Sequence, residues 1–276
     1  MPAALKKGIP HLLLIAYVVA VLYPFVFVVF SSLKESNQAI AENPWGFPFE
    51  MKFENYVNAW VNAKISVYFW NSLYLSTTAA VSGVLIAAAM AFAITRMRFG
   101  RSSKLLTQFV LIGMLIPGNA LFISQYLLVR DLHILNTHWA LFLPYVAGAV
   151  PMSVLLIAAF MRAIPGELEE AAVMDGLSSA GLFARIVLPL TVPALVTVFI
   201  INFLGNWNEF LLANFFLNKD SLRTLPTGMV GFRDTFQTNY AQMCTGIVYS
   251  VVPVLIIYAF LQEKIIEGLT AGGVKG

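Results

Sequence analysis

Ile164-Pro165-Gly166-Glu167-Leu168-Glu169-Glu170-Ala171-Ala172-Val173-Met174-Asp175-Gly176 is a polar island in an otherwise apolar chain, continuing through Ser178 and Arg185 to Leu188-Pro189. Pro165 suits a first helical position, and Glu167, Glu169 and Glu170 bring negative charge to the first turn, where a helix dipole favours it. Gly176 supplies a C-terminal stop. Ser178 is placed to cap a second helix whose Leu182, Phe183 and Ile186 share one face, and Pro189 follows where apolar sequence resumes. The stretch predicts a helix-turn-helix over about residues 164–188, outside the apolar spans.

The rest of the chain sets the environment of that loop. With 59% hydrophobic and 11% charged residues in 276 and a mean hydropathy of +0.78, the composition lies far from the roughly 25% charged residues of soluble domains. It predicts an all-α polytopic membrane protein. In such a chain the net charge of +3 is best assigned to topology-setting Lys and Arg near span ends, and nothing supports nucleic-acid binding. Cys244 is the only cysteine, so neither an intrachain disulfide nor a cysteine-rich zinc site is available. His11, His133 and His138 are too scattered to suggest a metal cluster.

Six apolar runs follow one another, at about 12–30, 70–94, 105–129, 139–161, 190–217 and 243–261, each of the length that crosses a bilayer. The first follows Lys6 and Lys7 but is too long for a signal peptide and is expected to be retained. Residues 31–69, punctuated by Asn43-Pro44-Trp45-Gly46-Phe47-Pro48, form an outer loop. Pro117-Gly118 interrupts the third run, and Pro144 and Pro151 stand in the fourth, so both are expected to bend. Six spans put both termini on one side, together with the Arg96 to Lys104 turn and the polar island; the positive-inside rule makes that side cytoplasmic. A single membrane domain over residues 1–276 is the simplest organisation.

No nucleophile, acid/base pair or metal set suggests catalysis. No G-x-x-x-x-G-K-[ST] loop is present to bind nucleotide phosphates, so an ATP-driven step would need another polypeptide.

Glu170-Ala171-Ala172, then Gly176 after three residues, then Ile186 and Leu188-Pro189 resemble without gaps the signature loop of ABC importer permeases. The similarity extends along the chain through Met114-Leu115-Ile116-Pro117-Gly118, the Leu143-Pro144 and Val150-Pro151 steps, Phe160 to Pro165 and Trp207-Asn208-Glu209-Phe210-Leu211, in the order seen in sugar-type permeases. The ending, Glu267 to Gly276, looks like the tail of the smaller, six-span subunit of the maltose-type family. The resemblance implies that the helix-turn-helix is a coupling loop seated in a cleft of a cytoplasmic ATPase. Gly176 would make its turn, Ala171 and Ala172 would allow close approach, Glu170 and Asp175 would face or brace the partner, and Glu167 and Arg185 would belong to the same loop. The tail residues Gly272, Gly273 and Lys275 would reach toward the ATPase pair.

The same resemblance implies a carbohydrate importer of a bacterial or archaeal inner membrane, working by alternating access. Its partners would be a second, different permease chain, an ATPase homodimer carrying ATP and Mg, and an external solute-binding protein. This chain itself would hold no cofactor. Asn202, Asn206 and Glu209 stand at i, i+4 and i+7 of the fifth run and are expected on one side of a helix, where amides suit a hydroxyl-rich solute. An interhelical hydrogen bond for Asn202 and headgroup water for Glu209 are the alternatives. So, for the whole chain, are a permease for a non-sugar solute, a secondary transporter without an ATPase, and a membrane enzyme.

Overall fold

The computed structural model describes residues 3–97, 101–232 and 239–273, and all regular structure among them is helical. Among the described residues four helices are long and apolar enough to cross a membrane: Pro10–Ser32, Ile65–Arg96, Trp139–Arg162 and Tyr240–Phe260. Two pairs qualify only when each is taken as one broken span. Arg101–Leu115 with Gly118–Asp131 bends by 86°, and Ser179–Leu190 with Val192–Trp207 bends by 75°. The third run is thus broken at Pro117-Gly118, where a bend was expected, whereas the fifth run, expected as one span, is divided between Val192–Trp207 and Leu211–Phe216.

Local chemistry accounts for both breaks. The helix stops at Leu115 because proline disfavours helix in the residue before it and offers no N–H to the preceding turn, and Pro117 itself is extended, φ −60° and ψ 126°. A 3-10 turn over Gly118–Leu121 restarts the chain. At the other break Pro189 and Pro193 flank Thr191, removing two donors from consecutive turns. Thr191 reinforces the chain between them: its hydroxyl donates to the Val187 carbonyl at 2.5 Å and its N–H reaches Val187 O and Leu188 O at 3.0 and 3.1 Å. The fourth run is one uninterrupted helix, Trp139–Arg162, with Pro144 and Pro151 inside it.

The chain divides into two compact units, residues 1–69 with 225–253, and residues 70–224 with 254–276. In the first, the segment after residue 32 folds back on the helix Ala3–Ser32. Lys34 donates to the carbonyls of Asn43 and Pro44, Trp45 stacks on Tyr23 with centroids 3.8 Å apart, and Asn55 Nδ2 bridges Ser32 O and Lys34 O at 2.9 and 2.8 Å. Lys34 is buried, which lowers its pKa from the ordinary lysine value.

The second unit holds the larger core. The Ile65–Arg96 helix buries Ala79, Ala80, Ala87, Ala88 and Ala91, the small side chains that let membrane helices approach closely. Ala87, Ala88 and Ala91 join a cluster with Val154, Ile157, Ala158 and Met161, while Ala79 joins another with Leu141, Tyr145 and Phe216. A last difference concerns the C-terminal tail, expected to leave the helix after about residue 261. The helix continues from Tyr240 to Gly273.

Gly228 is a close-approach position in the first unit. A Cβ there would lie 2.1 Å from Tyr68 Cδ2, and Tyr68 is buried, so its ring has no room to retreat. Gly228→Ala is expected to destabilise the folded chain by about 1–3 kcal/mol, the usual range for overpacking. Gly118→Ala, with nothing within 4 Å of the new methyl, is the control. Thermal unfolding of the purified chain in detergent checks the difference.

Candidate functional site

The polar island folds as two short helices. Gly166–Met174 is capped by Pro165, which stands just before the helix rather than at its first position, in an extended conformation of φ −58° and ψ 134°. Glu167 and Glu169 occupy the first turn; Glu170 falls beyond it. Gly176 ends the segment at φ +83°, left-handed backbone that side-chain-bearing residues adopt only at a cost. Ser178 then caps the next helix, its hydroxyl accepting from Gly181 N at 3.2 Å. That helix passes through a π-helical turn at Phe183–Val187, which carries the exposed Arg185.

The two faces of the acidic helix differ sharply. Ala172 is buried and packs with Met161, Leu182 and Val187, so it braces the loop from within, whereas Ala171 points outward. Glu167, Leu168, Glu170, Ala171, Val173, Met174 and Asp175 are all exposed, Met174 by 87%. An apolar side chain left that open on a rigid helix, ringed by carboxylates, is the composition of a contact surface rather than of a solvated one.

Glu169 has a different task. Its Oε1 lies 2.6 Å from Arg96 Nε, with the two side chains 14% and 16% exposed; the N–H is not aligned on the oxygen, so this is an ion pair more than a hydrogen bond. Arg96 Nη2 also donates to the carbonyls of Met161 and Ile164 at 2.5 and 3.1 Å. One guanidinium thus joins the ends of three helices. Sequence patterning gave Arg96 only a topological role and left Glu169 out of the candidate loop residues. The available signal was Arg in the last turn of one helix and Glu in the first turn of another, each suited to its helix dipole.

The polar residues of the fifth run do not share one helix. Val192–Trp207 ends before Glu209, and the i, i+4, i+7 relation expected for Asn202, Asn206 and Glu209 is broken after its second member. The Glu209 carboxylate instead caps the helix Leu211–Phe216: Oε1 accepts from Leu212 N at 2.7 Å, and Oε2 from Ala213 N at 3.1 Å and the Tyr145 hydroxyl at 2.8 Å. A carboxylate three residues before Leu212, ahead of an apolar run, is a capping signal that the periodicity argument overrode. Asn202 Nδ2 donates to Ser153 Oγ at 2.9 Å, the interhelical alternative. Asn206 Nδ2 is buried with no hydrogen-bond partner among the described residues. At the chain's end Gly272 and Gly273 close the long helix, and Lys275 lies outside the described residues.

These features meet a known family. Residues 83–266 match the binding-protein-dependent transport system inner membrane component family. The chain belongs to this family. It is 37% identical to a probable ABC transporter permease protein, YurM, of Bacillus subtilis, over 95% of this chain and 87% of the relative. It is 32% identical to a diacetylchitobiose uptake system permease protein, DasC, of Streptomyces coelicolor, over 97% and 96%. Its fold is that of a chain in the crystal structure of a bacterial ABC transporter importing the acidic polysaccharide alginate, with a TM-score of 0.81 at 20% identity over 94% and 96%. The chain is therefore a multi-pass ABC transporter permease, and the matched region contains the acidic helix, its Arg96 partner and the whole of Val192–Trp207.

The three-helix junction makes a sharp expectation. Arg96→Gln and Glu169→Gln each leave a partly buried charge unpaired, so each destabilises the purified permease. The double variant loses less than the sum, with a coupling energy of about 0.5–3 kcal/mol for groups in direct contact. Thermal unfolding of all four proteins in detergent measures it; strict additivity would mean that the pair contributes nothing.

Proposed function

We propose that this chain is one membrane subunit of a carbohydrate importer, working by alternating access with a different second permease chain. External binding protein delivers the sugar, and a cytoplasmic ATPase dimer using ATP and Mg drives the switch. Supporting the substrate class are the diacetylchitobiose permease among its relatives and an interior in which neutral amides outnumber charged groups along the Val192–Trp207 helix. On this reading the chain forms one permease domain of six spans, two of them broken, with both termini and residues 164–188 cytoplasmic.

The observation that carries the ATPase partnership is the acidic helix, locked at its base by Arg96 and Ala172 while Leu168, Met174, Glu167 and Glu170 stay exposed. A lever must be stiff where it joins the membrane helices and open where the motor grips it. Gly176, Asp175 and Arg185 complete the gripped segment, and Gly272, Gly273 and Lys275 approach the same motor. Within the pathway Asn206 is the side chain that offers an unspent amide; Asn202 is occupied by Ser153, and Glu209 by its helix cap.

Uptake by cells whose only importer is the complete assembly tests the substrate class. A labelled panel of a hexose, neutral di- and trisaccharides, a uronate oligomer, an amino acid, a dipeptide and phosphate is offered. ATP-dependent accumulation of a saccharide is expected; accumulation of the non-sugar solutes alone overturns the reading. Gly176→Val tests the lever. Its positive φ makes the strain on the order of 1–3 kcal/mol, enough to distort docking without preventing insertion. Uptake and ATPase co-purification are expected to fall together at near-normal membrane abundance, and normal values of both would remove the coupling role.

A further inference from the structure

In the second unit, the Ile65–Arg96 helix and the start of Trp139–Arg162 border a groove of ≈ 500 Å³ lined by Tyr74, Thr78, Ser82, His138, Trp139 and Phe142. That volume falls within the roughly 300–1,000 Å³ of small-molecule sites. Tyr74, Thr78 and Ser82 recur every fourth residue and so form one stripe along their helix. Counted from Ile65 at 1.5 Å per residue, the stripe runs from about 14 to about 26 Å along it, from the outer half of the span toward its middle.

The lining has two kinds of surface. Tyr74 and Trp139 are 56% and 58% exposed yet held by neighbours: Trp139 meets Phe142 edge-on at 5.2 Å, and Tyr74 lies 5.7 Å from the His138 ring. Between them stand neutral polar groups. Thr78 donates its proton to Tyr74 O at 2.7 Å, leaving its lone pairs to a ligand. His138 Nε2 is buried without a hydrogen-bond partner among the described residues. Burial lowers the pKa of His138, which favours the neutral ring. No Lys, Arg, Asp or Glu lines the groove.

Lipid tails fit this lining badly, because hydroxyls and a buried imidazole nitrogen facing hydrocarbon go unsatisfied at a cost. A pyranose fits both surfaces: its C–H face lies on an aromatic ring while its hydroxyls meet neutral donors and acceptors. We propose that this groove is an outer contact site for an uncharged sugar unit, with Tyr74 and Trp139 as stacking platforms and Thr78, Ser82 and His138 as hydroxyl partners. The proposal rests on the carbohydrate reading, and its groove is lined by residues other than the Val192–Trp207 amides considered for the pathway.

The test uses the complete assembly in nanodiscs, with Cys244→Ser and Ser82→Cys in this chain and the neutral saccharide that accumulates in the uptake assay as probe. Ser82→Cys is expected to react with a water-soluble methanethiosulfonate. Sugar at about ten times its dissociation constant should slow that reaction about tenfold, the fraction of sites left free. Adding Tyr74→Leu and Trp139→Leu should abolish the protection while the reaction without sugar persists. Reaction indifferent to sugar overturns the proposal; so does reaction only with a membrane-permeant maleimide, which assigns the groove to lipid, or no reaction with either reagent, which assigns it to a partner helix. Failure of the substrate reading appears separately, as absence of saccharide uptake, and takes this proposal with it.

Discussion

The guanidinium of Arg96 is where the ends of three helices meet: its own, that of Trp139–Arg162 and the start of the acidic helix. A helix leaves its last carbonyls without partners, and at the end of Trp139–Arg162 two nearby carbonyls, Met161 O and Ile164 O, are satisfied by Arg96. The same group neutralises Glu169 in the first turn of the acidic helix, the position where that helix's own dipole already favours a carboxylate. Isolated surface ion pairs contribute little. This one is mostly shielded, and it acts together with the packing of Ala172 against Met161 and Val187, so charge and packing fix the same inward face of the helix.

A second constraint shapes everything between the loop and the outer surface. Backbone polar groups inside a bilayer must find partners within the protein, yet this chain interrupts its helices at Pro117, at Thr191 and at Asn208 to Phe210. At two of these breaks a side chain adds a hydrogen bond to the backbone. Thr191 returns a hydroxyl to the Val187 carbonyl, and Glu209 accepts the first free N–H groups of Leu211–Phe216 while holding Tyr145 of the neighbouring helix. Bends so supported are defined geometries, which suits a molecule that must pass between discrete conformations rather than flex continuously.

What the sequence discloses follows from the range of each interaction. The Ser178 cap and the left-handed Gly176 depend on residues within three positions, and both were legible. Four of the apolar runs were legible as spans because bilayer thickness is fixed, and the local motifs with their spacing were enough to resemble the right family. Arg96 and Glu169 lie far apart in the chain and are joined by tertiary packing alone, so each was seen as a charge and neither as half of a pair. Glu209 failed for another reason: helical periodicity was carried through a residue where the helix had stopped, and a local cap won over the extrapolated face. The extent of the last helix, to Gly273, was hidden because glycines weaken a helix in isolation without forbidding one.

In the coupling role proposed above, the two faces of the acidic helix-turn-helix would meet opposite demands. Toward the membrane helices, stiffness transmits displacement, and that side carries the buried alanine, the ion pair and a core of aliphatic side chains. Away from them, adaptability matters more: Met174 is a flexible, polarizable side chain of the kind favoured at surfaces that repack against a partner, and Glu167, Glu170 and Asp175 around it orient that partner by charge. A loop stiff throughout would dock in one state only, and one soft throughout would absorb the motion. Dividing the functions between faces of a nine-residue helix lets one short segment stay fixed to the permease while its grip on a moving partner changes.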